Sequence, residues 1–296
     1  MEQLRSSWLT HLNPLTDPSS LSVYILIFHG SSDPRSRSAS EALTSHFRDR
    51  VSSTQPAVGV ANKSTIAVKS DSFSSLEQGT SSLLQAQPFD PDLFVHAAYL
   101  ECHPLPLHQQ IEQIAQQIQA KNPLKKISLR LLPVFLLPGV HLLEDIPAEV
   151  AQAQHLLGDS MMLTVTAHLG SQLGLGQLLN ERISPLPMDA WILLAHGSRR
   201  LNANQPIAAL ANDIGATVAY WSTPPNLESR LQECVRSGYQ HIGILPYFLF
   251  PGGITDAIAQ AIAQFSQQHS TLKITLAEPL NASPRLVDLL IDLANE

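Results

Sequence analysis

Short, nearly continuous apolar runs alternate along the chain with longer segments whose apolar positions recur at helical spacing. In the second half the runs fall at residues 191–195, 216–221, 241–248 and 272–276, and the helical segments near 203–213, 227–237, 255–269 and 284–294. Runs that are apolar at every position suit strands of a parallel sheet covered on both faces. Asn226 precedes LESRL as a side-chain N-cap, and Gly238 closes the same helix. This alternation predicts an α/β, doubly wound architecture with right-handed crossovers.

The same landmarks occur twice, in the same order. ILIFHGS (25–31) matches ILLAHGS (192–198), and VHAAYLECHPLPL (95–107) matches TVAYWSTPPNLESRL (217–231). LPVFLLPG (132–139) and LPYFLFPG (245–252) agree at six of eight positions. LTVTAHLGSQLGLGQLL (163–179) pairs with ITLAEPLNASPRLVDLL (274–290). The chain therefore reads as an internal duplication: two similar domains, each with a four-stranded parallel sheet. The HGS motifs lie 167 residues apart and the LPxFLxPG motifs 113 apart, so the first half carries 54 extra residues between them. Most of the excess is a Ser/Gln-rich stretch near 51–88, read as a surface insertion with a candidate strand at 65–68. The expected domains are residues 20–184 and 189–296, joined by the SPLPMD linker at 184–189.

Composition narrows the function classes. The 296 residues are 44% hydrophobic, which fits a folded chain, and the length favours two cores over one. A net charge of -7 argues against a nucleic-acid partner. No apolar run approaches the ~18–20 residues of a membrane span, and the first twenty residues lack the apolar stretch of a secretory signal. Two cysteines, Cys102 and Cys234, form no CxxC pair and fit a reducing cytoplasm. Cys102 is expected to be a buried or partly buried thiol. Against two cysteines stand twelve histidines, nine of them at or before position 168. His103 and His108 are expected at the surface and His96 packed within its strand.

Strand order picks out the histidines that matter. Open parallel sheets bind ligands beyond the carboxyl ends of their strands. In a 2-1-3-4 order, strand 1 of the first half ends at His29, strand 2 at Glu101 and strand 3 just before His141. Two neutral nitrogen donors and one carboxylate would meet at one opening, a set suited to a divalent metal. The second half keeps His196 but has Ile254 in place of His141, and Ser222 or Thr223 near the place of Glu101. The Asp145-Ile146-Pro147 turn is read as shaping the start of a helix, not as binding metal. No GxSxG supports a hydrolase, and strand 1 runs into HGSSDP where a dinucleotide enzyme would carry GxGxxG.

HGSSDPRS (29–36), AYLE (98–101) and LPVFLLPGVHLLEDIP (132–147) resemble the CbiX/SirB sirohydrochlorin chelatases, which are class II tetrapyrrole chelatases. ILLAHGSRR and LPYFLFPGGITDAI are similar to the C-terminal half of their long, two-domain form, and the resemblance runs from about residue 23 to residue 290. It implies that His29 and His141 bind the metal, and that both act in catalysis with Glu101. It implies Co²⁺ or Fe²⁺ as a substrate, with no organic cofactor. The implied reaction is metal insertion into sirohydrochlorin, in cobalamin or siroheme biosynthesis. The anionic rim of that macrocycle makes Ser31, Arg35, His196, Ser198 and Arg199 the implied substrate contacts, with Arg37 and Arg200 on the same loops. The implied protein is a cytoplasmic monomer, an internal pseudo-dimer, without nucleic-acid or membrane partners. The alternative is a non-catalytic metal or tetrapyrrole carrier using the same inter-domain cleft.

Overall fold

The computed structural model describes residues 20–54, 94–200 and 202–296. The candidate strand at 65–68 and residues 55–88 of the insertion lie outside them, whereas residues 51–54 form the end of the first helix.

Each half repeats strand and helix four times. The first half runs β1 (Ser20–Phe28), α1 (Pro34–Thr54), β2 (Val95–Tyr99), α2 (Leu107–Lys121), β3 (Lys126–Pro133), α3 (Ile146–Leu157), β4 (Met161–Val165) and α4 (Gly174–Ile183). The second runs β5 (Ala190–Ala195), α5 (Gln205–Asp213), β6 (Thr217–Tyr220), α6 (Leu227–Arg236), β7 (His241–Pro246), α7 (Gly253–Gln268), β8 (Lys273–Leu276) and α8 (Pro284–Asn295). Both sheets are parallel, in the orders β2-β1-β3-β4 and β6-β5-β7-β8. The α/β, doubly wound, two-domain expectation therefore holds. Asn226 caps α6, its side chain accepting from the Ser229 amide at 2.9 Å.

Strand 3 is shorter than its apolar run. It ends at Pro133, eight residues before His141, although the apolar letters continue to Leu137. Val134 is buried, and Leu136 and Leu137 pack on the central core from a segment that has left the sheet. The Val134 amide still donates to the Ile27 carbonyl at 2.8 Å, and beyond it burial without strand pairing reads in sequence like strand.

The central strands are apolar on both faces because each sheet is covered twice. Val23, Ile25 and Ile27 of β1 face Leu107 and Ile111 of α2 and Ile146 and Ala153 of α3. Leu26 and Phe28 point the other way, into a core shared with α1, α4, α5 and α8. In the second sheet Ile192 and Leu194 meet α6 and α7, while Leu193 and Ala195 enter that same shared core. A layer of four helices thus lies between the sheets, and one apolar core joins the halves.

The last helix of each half crosses to the other. Helix α8 contacts α1 and β3, and Arg130 on β3 donates to the Ala294 carbonyl. Arg50 on α1 pairs with Asp288 at 2.5 Å. Helix α4 lies beside α5, where Gly176 comes close to Leu210, and Arg182 donates to the Glu278 and Pro279 carbonyls after β8.

Candidate metal centre

The backbone ladder between β1 and β2 continues past both strands. The Leu100 amide donates to Phe28 O at 2.9 Å and the Glu101 amide to His29 O at 2.8 Å. These bonds fix Glu101 beside His29, immediately beyond the sheet. Buried Gln110 of α2 steadies the same loop, accepting from the Tyr99 amide and donating to the Tyr99 and Leu105 carbonyls. His141 arrives from the third strand through residues 134–140 and opens a single π-helical turn, His141–Asp145, that leads into α3.

His29, Glu101 and His141 offer donor atoms that all lie within 4.8 Å of one another. Glu101 is central: its Oε2 is 3.9 Å from His29 Nδ1 and its Oε1 is 3.9 Å from His141 Nε2. The two imidazoles stand edge to face with centroids 4.6 Å apart, and Phe135 lies beside His29. A tetrahedral ion with bonds of about 2.1 Å separates its donors by about 3.4 Å, so a small contraction would close the set on a metal. The three side chains are between one third and one half exposed, so an ion held here stays open to a second set of ligands.

The backbone resolves the matching position in the second half. The Trp221 amide donates to Ala195 O and the Ser222 amide to His196 O, so Ser222 stands where Glu101 stands. His196 is exposed at its strand end, and Ile254 occupies the first turn of α7. No donor cluster like the first forms there among the described residues.

Ser31 and Ser198 have matching local roles. The Ser31 hydroxyl accepts from the Asp33 amide at 3.1 Å and the Ser198 hydroxyl from the Arg200 amide at 3.2 Å. Arg35 is engaged by carboxylates: Nη1 and Nη2 donate to Asp256 at 2.9 and 2.6 Å, while Nε and Nη2 donate to Asp33 at 3.1 and 2.7 Å. This guanidinium holds both carboxyls below the usual carboxylate range. Arg199 is exposed. Arg200, from the second HGS loop, pairs with Glu144 at 3.1 Å, on the turn that carries His141. Each half therefore sends an arginine across to the helix start that follows the other half's LPxFLxPG motif.

The 145–147 turn does start α3, with Asp145 at the N-cap and Pro147 in the first turn; the Asp145 side chain makes no capping bond, and its Oδ2 lies 2.7 Å from His141 Nδ1. A carboxylate four residues after a candidate ligand is the signal that would have exposed this contact. One reading needs correction: Cys102, expected to be buried or partly buried, is exposed, beyond the end of β2 and beside Glu101, with φ at +57°. Among the remaining histidines, His108 is tied to Glu149 at 2.8 Å and His103 stacks on Tyr99. His168, after β4, has its pKa lowered by burial.

The CbiX family model matches residues 74–186 and 190–296. The sirohydrochlorin cobaltochelatase of Priestia megaterium is 24% identical over 185 residues, covering 56% of this chain and 59% of that protein. That match spans less than two thirds of the relative's length. SirB from Bacillus subtilis with Fe³⁺ has a TM-score of 0.66 at 15% identity, covering 93% of this chain and 95% of SirB. The sirohydrochlorin chelatase SirB from Bacillus subtilis subspecies spizizenii in complex with cobalt has a TM-score of 0.61 at 15% identity, covering 92% and 94%. At these identities the structures establish a shared fold.

Proposed function

The chain belongs to the CbiX family, and from that footing we propose that it is a sirohydrochlorin chelatase that inserts Co²⁺ or Fe²⁺ into the macrocycle. The observation that carries this reading is the convergence of His29, Glu101 and His141 at the carboxyl ends of three adjacent strands. Residues 20–184 are the metal-binding half and residues 189–296 the supporting half.

Each insertion exchanges protein donors for pyrrole nitrogens and releases two N–H protons. Imidazole and carboxylate donors suit Co²⁺ and Fe²⁺ without enclosing them. As a pyrrole nitrogen takes a coordination position, the donor it displaces becomes a nearby proton acceptor. His29, His141 and Glu101 fill both roles in turn. Ser31, Arg35, His196, Ser198 and Arg199 contact the anionic rim. Arg35 reaches it by exchanging Asp33 and Asp256 for substrate carboxylates, which match its forked geometry. Cobalt as the ion would serve cobalamin synthesis and iron would serve siroheme synthesis. Two free thiols accord with a cytoplasmic setting, and the fused halves accord with a monomer. Among the described residues no helix is long and apolar enough to cross a membrane.

The test is anaerobic turnover of sirohydrochlorin by purified protein with Co²⁺ or Fe²⁺, read by the change in macrocycle absorbance. His141→Ala is expected to lower the rate about 100-fold or more while leaving the melting temperature near that of the unaltered chain. Full activity in His141→Ala at ordinary metal concentrations would overturn the reading. Stoichiometric binding without turnover would assign the chain to the carrier role.

A further inference from the structure

We propose that Asp145 is a positioning residue for the metal centre: its carboxylate holds the Nδ1 edge of His141 so that Nε2 faces the incoming ion. The proposal rests on the reading of His141 as a metal donor and adds the residue that orients it.

The two ring nitrogens of His141 have separate partners. Nδ1 lies 2.7 Å from Asp145 Oδ2, and Nε2 lies 3.9 Å from Glu101 Oε1, inside the donor set. A proton on Nδ1 donates to the carboxylate and leaves the Nε2 lone pair for the metal. A carboxylate behind a ligating imidazole fixes its tautomer and ring angle and strengthens it as a donor. His29 has no such division: the Nδ1 that faces Glu101 at 3.9 Å is the same nitrogen that lies 3.2 Å from the Gly30 carbonyl.

Among the described residues this carboxylate has no side-chain partner other than His141. Asp145 occupies the N-cap position of α3 with helical angles (φ -71°, ψ -49°) and no capping bond from its side chain. The Ile146 amide at that junction donates to the His141 carbonyl. The duplication supplies an internal control. Spaced by the same 113 residues, His141 corresponds to Ile254 and Asp145 to Ile258. Ile258 is 1% exposed and packs into the core under α7, a helix that starts without an acid at that position. The half that lacks the histidine lacks the aspartate too.

The test uses the full chain and Co²⁺ alone, followed by its visible absorption bands, with ¹⁵N NMR of the metal-free protein to read the His141 tautomer. The unaltered chain should bind Co²⁺ and His141→Ala should lose that binding; failure of either removes the reading of the centre itself, and the proposal with it. With both in place, Asp145→Ala should weaken Co²⁺ binding about 10–100-fold. Its His141 should shift from an Nδ1–H form to a mixture of tautomers. Asp145→Asn, whose amide oxygen still accepts from Nδ1–H, should fall between the two in affinity and keep the tautomer. It also serves if the alanine variant does not fold. Co²⁺ affinity within twofold of the unaltered chain in either variant would overturn the proposal, as would an unchanged tautomer in Asp145→Ala.

Discussion

Gly30 sits between His29, the first candidate donor, and its loop with φ at +93°, a region that side chains disfavour. A Cβ there would fall 1.9 Å from the Glu101 carbonyl oxygen, a backbone atom with nowhere to go. The His29–Glu101 spacing therefore depends on a residue without a side chain. Gly30→Ala is expected to cost about 2 kcal/mol or more of stability, from the strained angle and the clash together. It should also displace Glu101, so that Co²⁺ binding weakens in the fraction that remains folded. Thermal melts and metal titration check both effects. At this scale the convergence of His29, Glu101 and His141 was legible because strand ends in a parallel sheet converge and the motifs repeat. Asp145 was not legible: an acid at a helix start has an ordinary explanation, and the turn that swings it back to His141 leaves no periodicity in the sequence.

Between elements, the halves are tied by ion pairs that mirror each other, Arg35 with Asp256 and Arg200 with Glu144. Arg35 depresses the pKa of both Asp33 and Asp256. A carboxyl whose folded pKa lies below its unfolded value near 3.9 contributes stability above that value and loses it as pH falls through the folded pKa. The melting temperature of Arg35→Met should therefore lie below that of the unaltered chain by a constant margin from about pH 6 to 8, and the gap should close below about pH 4. A gap that widens in acid would show that the clasp is not the source. Strands and helices were mostly legible from their apolar patterns. The end of β3 was not, because Leu136 and Leu137 stay apolar to pack on the core after the chain has left the ladder. Arg35 read as a free cation for the substrate rim, since its partner Asp256 lies more than 200 residues away in sequence.

Across the whole molecule, the shared core decides how the chain unfolds. Leu290 of α8 is fully buried there, on a helix that packs against β3 of the other half. Leu290→Ala should cost about 2–5 kcal/mol and lower one cooperative transition, leaving both halves to melt together. Two separate transitions in calorimetry would contradict that coupling. The exchange of α4 and α8 was illegible in the sequence, since helical periodicity shows that a face is apolar but not which sheet it will meet.

That exchange changes what a shortened gene product would be. The three candidate donors all lie before residue 142, so the first half alone would carry the whole proposed centre. Yet part of the cover over the first sheet is α8, which packs on β3 and α1 and is the last helix among the described elements. A stop codon between residue 142 and α8 would leave every candidate donor encoded and strip this helix from the core it shares with the first sheet. The truncated polypeptide would present quality-control proteases with an open apolar face, so nonsense alleles in the half without donors should behave as null alleles.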